Sequence, residues 1–562
     1  MSKKIIFSIS YVIIAFSCVA QKISVDLIIH NATIYSVDTS FSVQQAMAIK
    51  AGRIVEVNSN QSIKKKYVSK KSIDAGGKAI VPGLIDAHCH FVNYGLGLRR
   101  IGLTGTKSFD EVIQRVITFT KKTGEGKKSA KPEEINWIVG RGWDQNDWDK
   151  KEFPNNRILD SLFPNTPVIL RRVDGHAALV NSEALRRANI NVQTKISGGE
   201  IFVKDGQLTG MLIDNAVDAV MNKIPPASKK LIQQGLLAAQ KDCFEVGLTT
   251  IDDAGLMKSD IDIIDEMQKS KQLKMRIYAM ASDSAPNYAH YLKTGPYKTD
   301  RLNVRSFKFY ADGSLGSRGA CLLQHYHDKS NSKGFMLSTK EHFEKYAKIL
   351  AEKGFQMNTH CIGDSSDRVI AKIYTDALNA LSNSKIKPMT YRWRVEHAQV
   401  VDKKDLAYYS GIIPSVQPTH ATSDMYWAAE RLGTERVKTA YAYKDLLKAA
   451  GLVALGTDFP VEEISPFNTF YAAVARKDAK FFPEGGFQIE NALTREETLK
   501  GMTIWAAFSN FEEKEKGSLE KGKFADFVIL DTDIMTCEIN DVLKTKVIST
   551  FINGELVYSS LK

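Results

Sequence analysis

Two histidines separated by one residue, His88 and His90, are the first side chains whose types and spacing predict chemistry. They end an apolar run that a Pro-Gly pair introduces. Residues i and i+2 of a strand point to the same face, so both imidazoles can bind one metal ion at the strand's end. His325 and His327 share the spacing but lie in a polar stretch, so spacing alone is weak evidence. The context favours a metal pair at 88 and 90, with chance spacing as the alternative.

Four other polar residues, Lys308, His360, His397 and Asp458, end successive apolar runs. Each has an ordinary explanation by itself, such as a hydrogen-bonded core histidine or an aspartate that caps a helix. Lys308 is the least ordinary, because a buried cation is costly unless it is neutralised or modified. The order of the whole set, two histidines and then Lys, His, His and Asp, favours one metal site built from several strand ends.

Strands that alternate with helices would position these residues. Between 82 and 515, amphipathic stretches such as 229–244 and 340–353 separate apolar runs. Repeated strand–helix alternation favours a parallel α/β architecture, and a closed (β/α)₈ barrel is its leading version. The strand-like runs lie at 166–170, 249–251, 306–310, 356–358, 393–395, 412–416 and 453–455.

Both ends of the chain have a different pattern. Residues 22–81 and 516–562 alternate short apolar runs with turn signals, among them the hairpin pair Asn553-Gly554. We expect the two ends to complete one composite β domain around the barrel segment 82–515. An insertion at about 100–245 is expected to cover the barrel mouth and shape the substrate pocket, with a purely structural role as the alternative.

The N-terminus has the layout of a secretory signal peptide over residues 1–20. Lys3 and Lys4 precede an apolar run that ends at Phe16, which is short for a membrane span. Cleavage after Ala20 is favoured and gives an exported periplasmic or extracellular protein. Lipidation of Cys18, which would anchor the protein, and an uncleaved buried helix are the alternatives.

Composition argues against two other classes of protein. The net charge of +12 comes from 76 basic and 64 acidic residues, but the basic residues are scattered, which disfavours nucleic-acid binding. The six cysteines form no C-x-x-C pair and no disulfide ladder, which disfavours a fold held together by disulfides. Cys89 and Cys361 each adjoin a candidate histidine and are interpreted as buried apolar residues.

The expected partner is a small-molecule substrate. A homodimer is left open, with no motif that argues for it.

Longer motifs surround the candidate residues and extend over nearly the whole mature chain. Together they resemble the amidohydrolase superfamily, in particular its amidohydrolase-3 branch of YtcJ-like proteins and N-substituted formamide deformylases. One departure is Thr457, where serine is common. The motifs are Pro82 to His90, Gly140 to Gln145, Asp174 to His176 with Asn181-Ser182, Lys308 with Ala311 to Arg318, His360 with Gly363-Asp364, Val395 to His397, Gln417 to His420, Thr457 to Val461 and Lys516 to Phe527.

The resemblance implies a distorted (β/α)₈ TIM barrel with a small β-sandwich domain built from both chain ends. It implies that His88 and His90 bind a buried metal with Asp458, and that His360 and His397 bind a second one. Lys308 would bridge the two as a carbamate, which would turn a buried cation into an anionic ligand. Zinc suits this set best, with one or two ions and other divalent metals open.

The implied reaction is hydrolysis of an amide-type C–N bond by metal-activated water. Asp458 would move the proton from water to the leaving amine. His176 and His420 are candidates for hydrogen-bond donors or substrate contacts, with a structural role as the alternative. Two other functions stay open, a non-hydrolytic enzyme on the same scaffold and a binding or regulatory protein without turnover.

Overall fold

The computed structural model describes residues 21–98, 100–123, 137–196, 199–225, 227–381 and 388–561. The predicted signal peptide and Cys18 lie outside the described residues. Within those ranges, no helix combines the length and the apolar character that a bilayer crossing requires.

The N-terminal segment forms short strands and one helix, α1 (Asn60–Lys66). Ser59 caps α1, since its side chain accepts a hydrogen bond from the backbone of Ser62. The strands are β1 (Ile23–Ser24), β2 (Leu27–His30), β3 (Thr33–Tyr35), β4 (Val43–Gln44), β5 (Ala46–Lys50), β6 (Arg53–Asn58), β7 (Tyr67–Val68), β8 (Ser72–Asp74) and β9 (Ala79–Pro82).

The first barrel strand, β10 (Leu84–Cys89), is buried along its whole length and is followed by α2 (Phe91–Gly97). An inserted domain comes next, with a six-stranded sheet in the order β11-β12-β13-β14-β16-β15. Its elements are β11 (Ile101–Gly102), α3 (Phe109–Thr123), β12 (Ile138–Trp143), α4 (Arg157–Leu162), β13 (Val168–Arg172), β14 (Ala177–Val180), α5 (Ser182–Arg187), β15 (Gly199–Lys204), β16 (Gln207–Asp214) and α6 (Asn215–Met221).

Seven more parallel strands continue the barrel after helix α7 (Lys229–Glu245), which packs closely on α2. The sheet runs β10-β17-β18-β20-β21-β22-β23-β24, which confirms the predicted (β/α)₈ class. The strands are β17 (Leu248–Leu256), β18 (Arg276–Ser282), β19 (Tyr297–Lys298), which pairs with β20 only, β20 (Leu302–Tyr310), β21 (Gln356–Cys361), β22 (Arg394–His397), β23 (Ile413–Val416) and β24 (Ala454–Leu455).

Helices cover the outside of the barrel. The apolar side chains between them and the strands form the largest core of the described chain. The helices are α8 (Lys258–Lys269), α9 (Ala285–Thr294), α10 (Lys340–Glu352), α11 (Asp364–Leu381), α12 (Pro418–Asp424), α13 (Ala428–Arg436), α14 (Tyr443–Ala450), α15 (Pro466–Ala475), α16 (Arg495–Gly501) and α17 (Ile504–Ser509).

The barrel closes through individual main-chain hydrogen bonds instead of a regular ladder between β24 and β10. The N–H of Asp458 donates to the carbonyl of His88 at 2.7 Å, and the N–H of His90 donates to Phe459 at 2.8 Å. A Cβ on Gly456 would lie 2.5 Å from the backbone nitrogen of His88, so this approach requires glycine. The distortion of the barrel is therefore greatest beside the candidate metal-binding residues.

The C-terminal strands are β25 (Phe527–Leu530), β26 (Val547–Ile552) and β27 (Glu555–Ser559). They share a sheet with N-terminal strands in the order β27-β26-β25-β9-β3-β4, opposite the sheet β6-β5-β2-β8. Apolar residues from both ends, among them Ile29, Met47 and Phe527, fill the space between them. This arrangement confirms the predicted sandwich. The hairpin prediction at Asn553-Gly554 is also confirmed, with φ angles of 53° and 68°.

Candidate metal centre

His88, His90 and Asp458 meet where the barrel closes. The Nε2 atom of His90 lies 3.2 Å from Oδ1 of Asp458, and that of His88 lies 3.7 Å from the same oxygen. One ligand atom from each residue fits within 4.8 Å of the others. The H-x-H pair and the distant aspartate therefore form one cluster of three potential ligands.

His360 and His397 end the neighbouring strands β21 and β22. Their rings are 4.5 Å apart between centroids, and the ring of His397 is 4.8 Å from that of His88. His420, on α12, stacks on His397, and its Nε2 lies 3.6 Å from Oδ2 of Asp458. His397, His420 and Asp458 also offer three atoms within 4.8 Å. His420 thus joins the cluster from outside the strands.

Lys308, on β20, points into the same cluster. Its side chain is only 1% exposed, and Nζ lies 3.1 Å from Nε2 of His88. No carboxylate of the described residues is within ion-pair distance of Nζ. Burial lowers the pKa of Lys308 to about 8, although Glu396 and Asp458 oppose that effect. Lys308 therefore loses its proton more readily than an exposed lysine does.

Two of the potential ligands have left-handed backbone conformations. The φ angle is 73° at His397, 40° at Ala398 and 63° at Asp458. Such values are uncommon for residues other than glycine and cost roughly 1–3 kcal/mol each. The closing hydrogen bond between Asp458 and His88 helps to hold this strained geometry, which turns the side chains toward a common point.

Several metal-facing atoms have no hydrogen-bond partner, although they are buried. They include Nε2 of His360, Nε2 of His420 and Oδ1 of Asp458. Burial lowers the pKa of His88 to about 4 and that of His360 to about 3, so both imidazoles are neutral. Burial would raise the pKa of Asp458, but the neighbouring imidazoles of His90, His88 and His397 hold it well below its usual range. Neutral imidazoles beside an ionised carboxylate fit a divalent metal ion.

The opposite ring nitrogens of three histidines have partners that fix their tautomers. Nδ1 of His88 lies 2.5 Å from Glu396, and Nδ1 of His397 lies 2.8 Å from Oε1 of Gln417. Nδ1 of His90 lies 3.0 Å from the carbonyl of Ala254. Each partner accepts the Nδ1 proton, which leaves the Nε2 lone pair free for a metal. Sequence reasoning had assigned no role to these three partners.

Glu396 is itself held by a buried ionic network. Arg394 lies 2.7 Å from Glu396 and 2.8 Å from Asp252, and all three side chains are fully buried. Burial would raise the pKa of Glu396, but Arg394 and His88 lower it to about 2. Glu396 is therefore ionised and orients the ring of His88 through its hydrogen bond with Nδ1.

Glu396→Gln is expected to weaken metal affinity by about 10–100-fold, because the neutral amide no longer favours the Nδ1–H tautomer of His88. Competitive titration of the protein with a metal-binding dye measures this. Glu512→Gln is the matched control, since Glu512 is also buried but pairs with Lys516 at 2.6 Å. Equal metal affinity in Glu396→Gln and wild type would contradict the orienting role.

The remaining predicted site residue, His176, lies in the inserted domain. Its Nδ1 is 2.8 Å from Oδ1 of Asp214, and this hydrogen bond raises the pKa of His176 against the effect of burial. The contacts described for His176 involve no potential metal ligand. His325 and His327 lie outside the barrel strands, in the loop after β20.

The chain is similar over most of its length to known proteins. A family profile described as "Amidohydrolase family" matches residues 71–558. The provisionally assigned amidohydrolase YtcJ of Bacillus subtilis is 29% identical over 549 residues, 94% of this chain and 98% of that one. N-substituted formamide deformylase of Arthrobacter pascens is 23% identical over 553 residues, with coverages of 95% and 98%. The fold of an uncharacterized metal-dependent hydrolase from Pyrococcus horikoshii OT3 matches with a TM-score of 0.74 at 24% identity, covering 91% of this chain and 99% of that one.

Proposed function

The chain belongs to the amidohydrolase family, and on that premise we propose that it is a metal-dependent hydrolase that cleaves an amide-type C–N bond in a small molecule. The observation that carries the proposal is the cluster of buried imidazoles around one carboxylate, in which Nε2 of His360, Nε2 of His420 and Oδ1 of Asp458 have no hydrogen-bond partner. N-substituted amides and formamides are the first substrate class to test, since a relative is named N-substituted formamide deformylase.

His88, His90 and Asp458 would hold one divalent ion, and His360 and His397 would hold a second. We propose zinc, because imidazole and carboxylate ligands around an open position suit it. Bound there, a divalent ion supplies Lewis-acid activation of water and of the scissile carbonyl group.

Lys308 would contribute to both positions as a carbamate. In that reaction the neutral Nζ attacks the carbon of carbon dioxide, an N–C bond forms, one C–O π bond breaks to leave a carboxylate oxygen, and the nitrogen loses a proton to solvent. The pKa of about 8 supports this step, because it leaves neutral amine available. The product carries a negative charge where an unpaired buried cation would be costly.

Asp458 would carry the proton in the reaction. Its carboxylate is ionised and its Oδ1 lacks a hydrogen-bond donor, so it can accept a proton from the attacking water. It would then deliver this proton to the leaving nitrogen as the C–N bond breaks.

Two histidines would act on the substrate. His420, with a free Nε2 beside Asp458, would donate to the oxygen of the scissile carbonyl as negative charge develops there. His176 would contact the substrate from the inserted domain, held in place by Asp214.

The test begins with metal analysis and a substrate screen. Purified protein should contain about one to two zinc-class ions per chain, and should hydrolyse at least one member of a panel of N-substituted amides, formamides, esters and cyclic amides. In oxygen-labelled water, the acid product should acquire one labelled oxygen.

Two results would contradict the proposal. Product without solvent oxygen would indicate a non-hydrolytic enzyme on this scaffold. Full metal occupancy with saturable binding and no turnover across the panel would indicate a binding or regulatory protein.

A further inference from the structure

Three arginines of the inserted domain lie together beside the barrel. Arg141 on β12 and Arg171 on β13 are direct partners in the parallel strand register, so their side chains leave the same face of the sheet. Arg100 immediately precedes β11, the next strand of that sheet. We call these three side chains the arginine pocket.

No carboxylate of the described residues lies within ion-pair distance of the arginine pocket. Arg141 donates to the carbonyl of Val173 at 3.1 Å, and Arg171 donates to that of Gly175 at 2.9 Å. The Nε atom of Arg171 is buried and has no hydrogen-bond partner. The adjacent Arg172 behaves differently, because Asp144 lies 2.5 Å and Asp174 2.7 Å from its guanidinium. The acidic residues of this region therefore neutralise Arg172 and leave the pocket cationic.

Crowding of these cations is unfavourable in the free protein. Burial lowers the pKa of Arg171, and the charges of Arg141 and Arg100 lower it further. Burial likewise lowers the pKa of Arg100, and Arg141 adds to that effect. Partly buried cations that repel one another are destabilising unless an anion joins them. Their planar donors match a carboxylate or a phosphate.

Gly175 lies directly against two of the guanidinium groups. A Cβ added to Gly175 would sit 2.9 Å from Nη2 of Arg171 and 3.8 Å from Nη2 of Arg141. Gly175 has a φ of 79°, so a side chain is disfavoured there by conformation as well as by space. Glycine at position 175 therefore allows both guanidinium ends to lie close to the main chain, where any larger residue would displace Arg171.

The arginine pocket is within electrostatic range of the candidate metal centre. The carboxylates of Asp458 and Asp174 oppose the effect of burial on the pKa of Arg141, so Asp458 and this guanidinium act on each other. Asp174 and Asp218 also act on Arg171, which reduces the positive charge of the pocket. A singly charged carboxylate matches that reduced charge better than a phosphate dianion.

We propose that the arginine pocket binds a carboxylate of the substrate, so that the enzyme acts on amides with a free acid group, such as N-acyl amino acids. This inference rests on the proposed function, because it names the substrate class of the same site. Arg141 and Arg171 supply the main contacts, and Arg100 adds positive charge.

The experiment measures binding, so that it does not depend on turnover. Levulinate has the skeleton of N-acetylglycine with a methylene in place of the amide nitrogen, and therefore cannot be hydrolysed. Levulinamide is its neutral counterpart. Calorimetry on the metal-loaded protein should show levulinate binding at least about tenfold more tightly than levulinamide, as expected for charge-assisted hydrogen bonds.

Variants assign the binding to the arginine pocket. Arg141→Gln and Arg171→Gln should each weaken levulinate binding by about 10–100-fold and leave the affinity for levulinamide unchanged. Arg141→Lys keeps the charge but loses the planar donor pair, so an intermediate loss is expected. Arg186→Gln is the control, because Arg186 is on the same inserted domain but is exposed and paired with Glu183 at 2.7 Å.

Three results would overturn the proposal: no detectable levulinate binding, equal affinity for both probes, or levulinate affinity unaffected by Arg141→Gln and Arg171→Gln. Displacement of levulinate by lower concentrations of inorganic phosphate would also overturn it, in favour of a phosphate site. Arginine-dependent levulinate binding without hydrolysis of any amide would refute the proposed hydrolase and leave the pocket assigned. Hydrolysis of neutral amides with no preference for amides that carry an acid group would support the proposed hydrolase and refute the carboxylate-binding role of the arginine pocket.

Discussion

Asp458→Asn is expected to lower kcat by at least about a thousandfold, since acid–base catalysis by one residue contributes about 10²–10⁴-fold and a potential metal ligand is weakened as well. The fold should persist for two reasons. The bond that closes the barrel is donated by the main-chain N–H of residue 458 to His88 and does not use the side chain. Asparagine also tolerates the left-handed backbone of this position as aspartate does. The measurements are kcat at saturating metal and the thermal unfolding midpoint.

Asp367→Asn is the matched control for that variant. Asp367 is also buried, but it lies on α11 and accepts a hydrogen bond from Tyr409 at 2.5 Å. Burial raises the pKa of Asp367 to about 8, so it is mostly protonated at neutral pH and asparagine preserves its neutral state. The kcat of Asp367→Asn should stay close to that of wild type. Near wild-type kcat in Asp458→Asn would reject Asp458 as the proton carrier.

Lys308→Ala is expected to lower kcat by at least about a hundredfold and to reduce the metal content, because it removes the side chain that would serve as an anionic ligand at both metal positions. A bound divalent ion would contribute several kcal/mol to stabilising the transition state, and part of that contribution would be lost. Lys308→Glu should recover part of the metal content, since it restores a carboxylate near the same place. Metal analysis and kcat on both variants, at saturating zinc, give the comparison.

Carboxylation itself has a direct readout. Protein prepared in carbon-13-labelled bicarbonate should show one carbamate resonance that is lost in Lys308→Ala. Lys516 is an internal control, because it is also buried but is neutralised by Glu512 at 2.6 Å and should not react. A wild-type protein with full metal content and no carbamate signal would contradict carboxylation. Unchanged metal content in Lys308→Ala would contradict the bridging role.

The sequence predicted the barrel and the cluster because both depend on local patterns. His88 and His90 follow an apolar strand, and parallel strands place such endings on one face of the barrel. Local pattern could not, however, distinguish every barrel strand from the strands of the inserted domain. The run 166–170 was grouped with the barrel runs, whereas β13 (Val168–Arg172) belongs to the inserted sheet. β18 (Arg276–Ser282) was missed, although residues 277–281 form an apolar run. The pairing of its first residue, Arg276, with Asp526 just before β25 could not be predicted from local pattern.

The supporting contacts could not be predicted, because they join residues distant in the chain. Glu396 lies directly before a recognised histidine, but its partner His88 is in another strand of the barrel. The left-handed conformation of His397 also reorients that ring relative to a regular strand. Alternation along β22 would separate these two side chains, and only the folded chain shows that both face the cluster.

The sandwich built from both chain ends has a consequence for the order of assembly during synthesis. Strand β9 pairs with β25, which the ribosome makes roughly half a minute to a minute and a half later at typical elongation rates. Until then, the apolar face of the N-terminal strands lacks half its cover, and the nascent chain is exposed to aggregation. A circular permutant that joins the present termini and opens in a surface loop of the barrel would make all these strands consecutively. It should form the sandwich early and refold with less loss to aggregates.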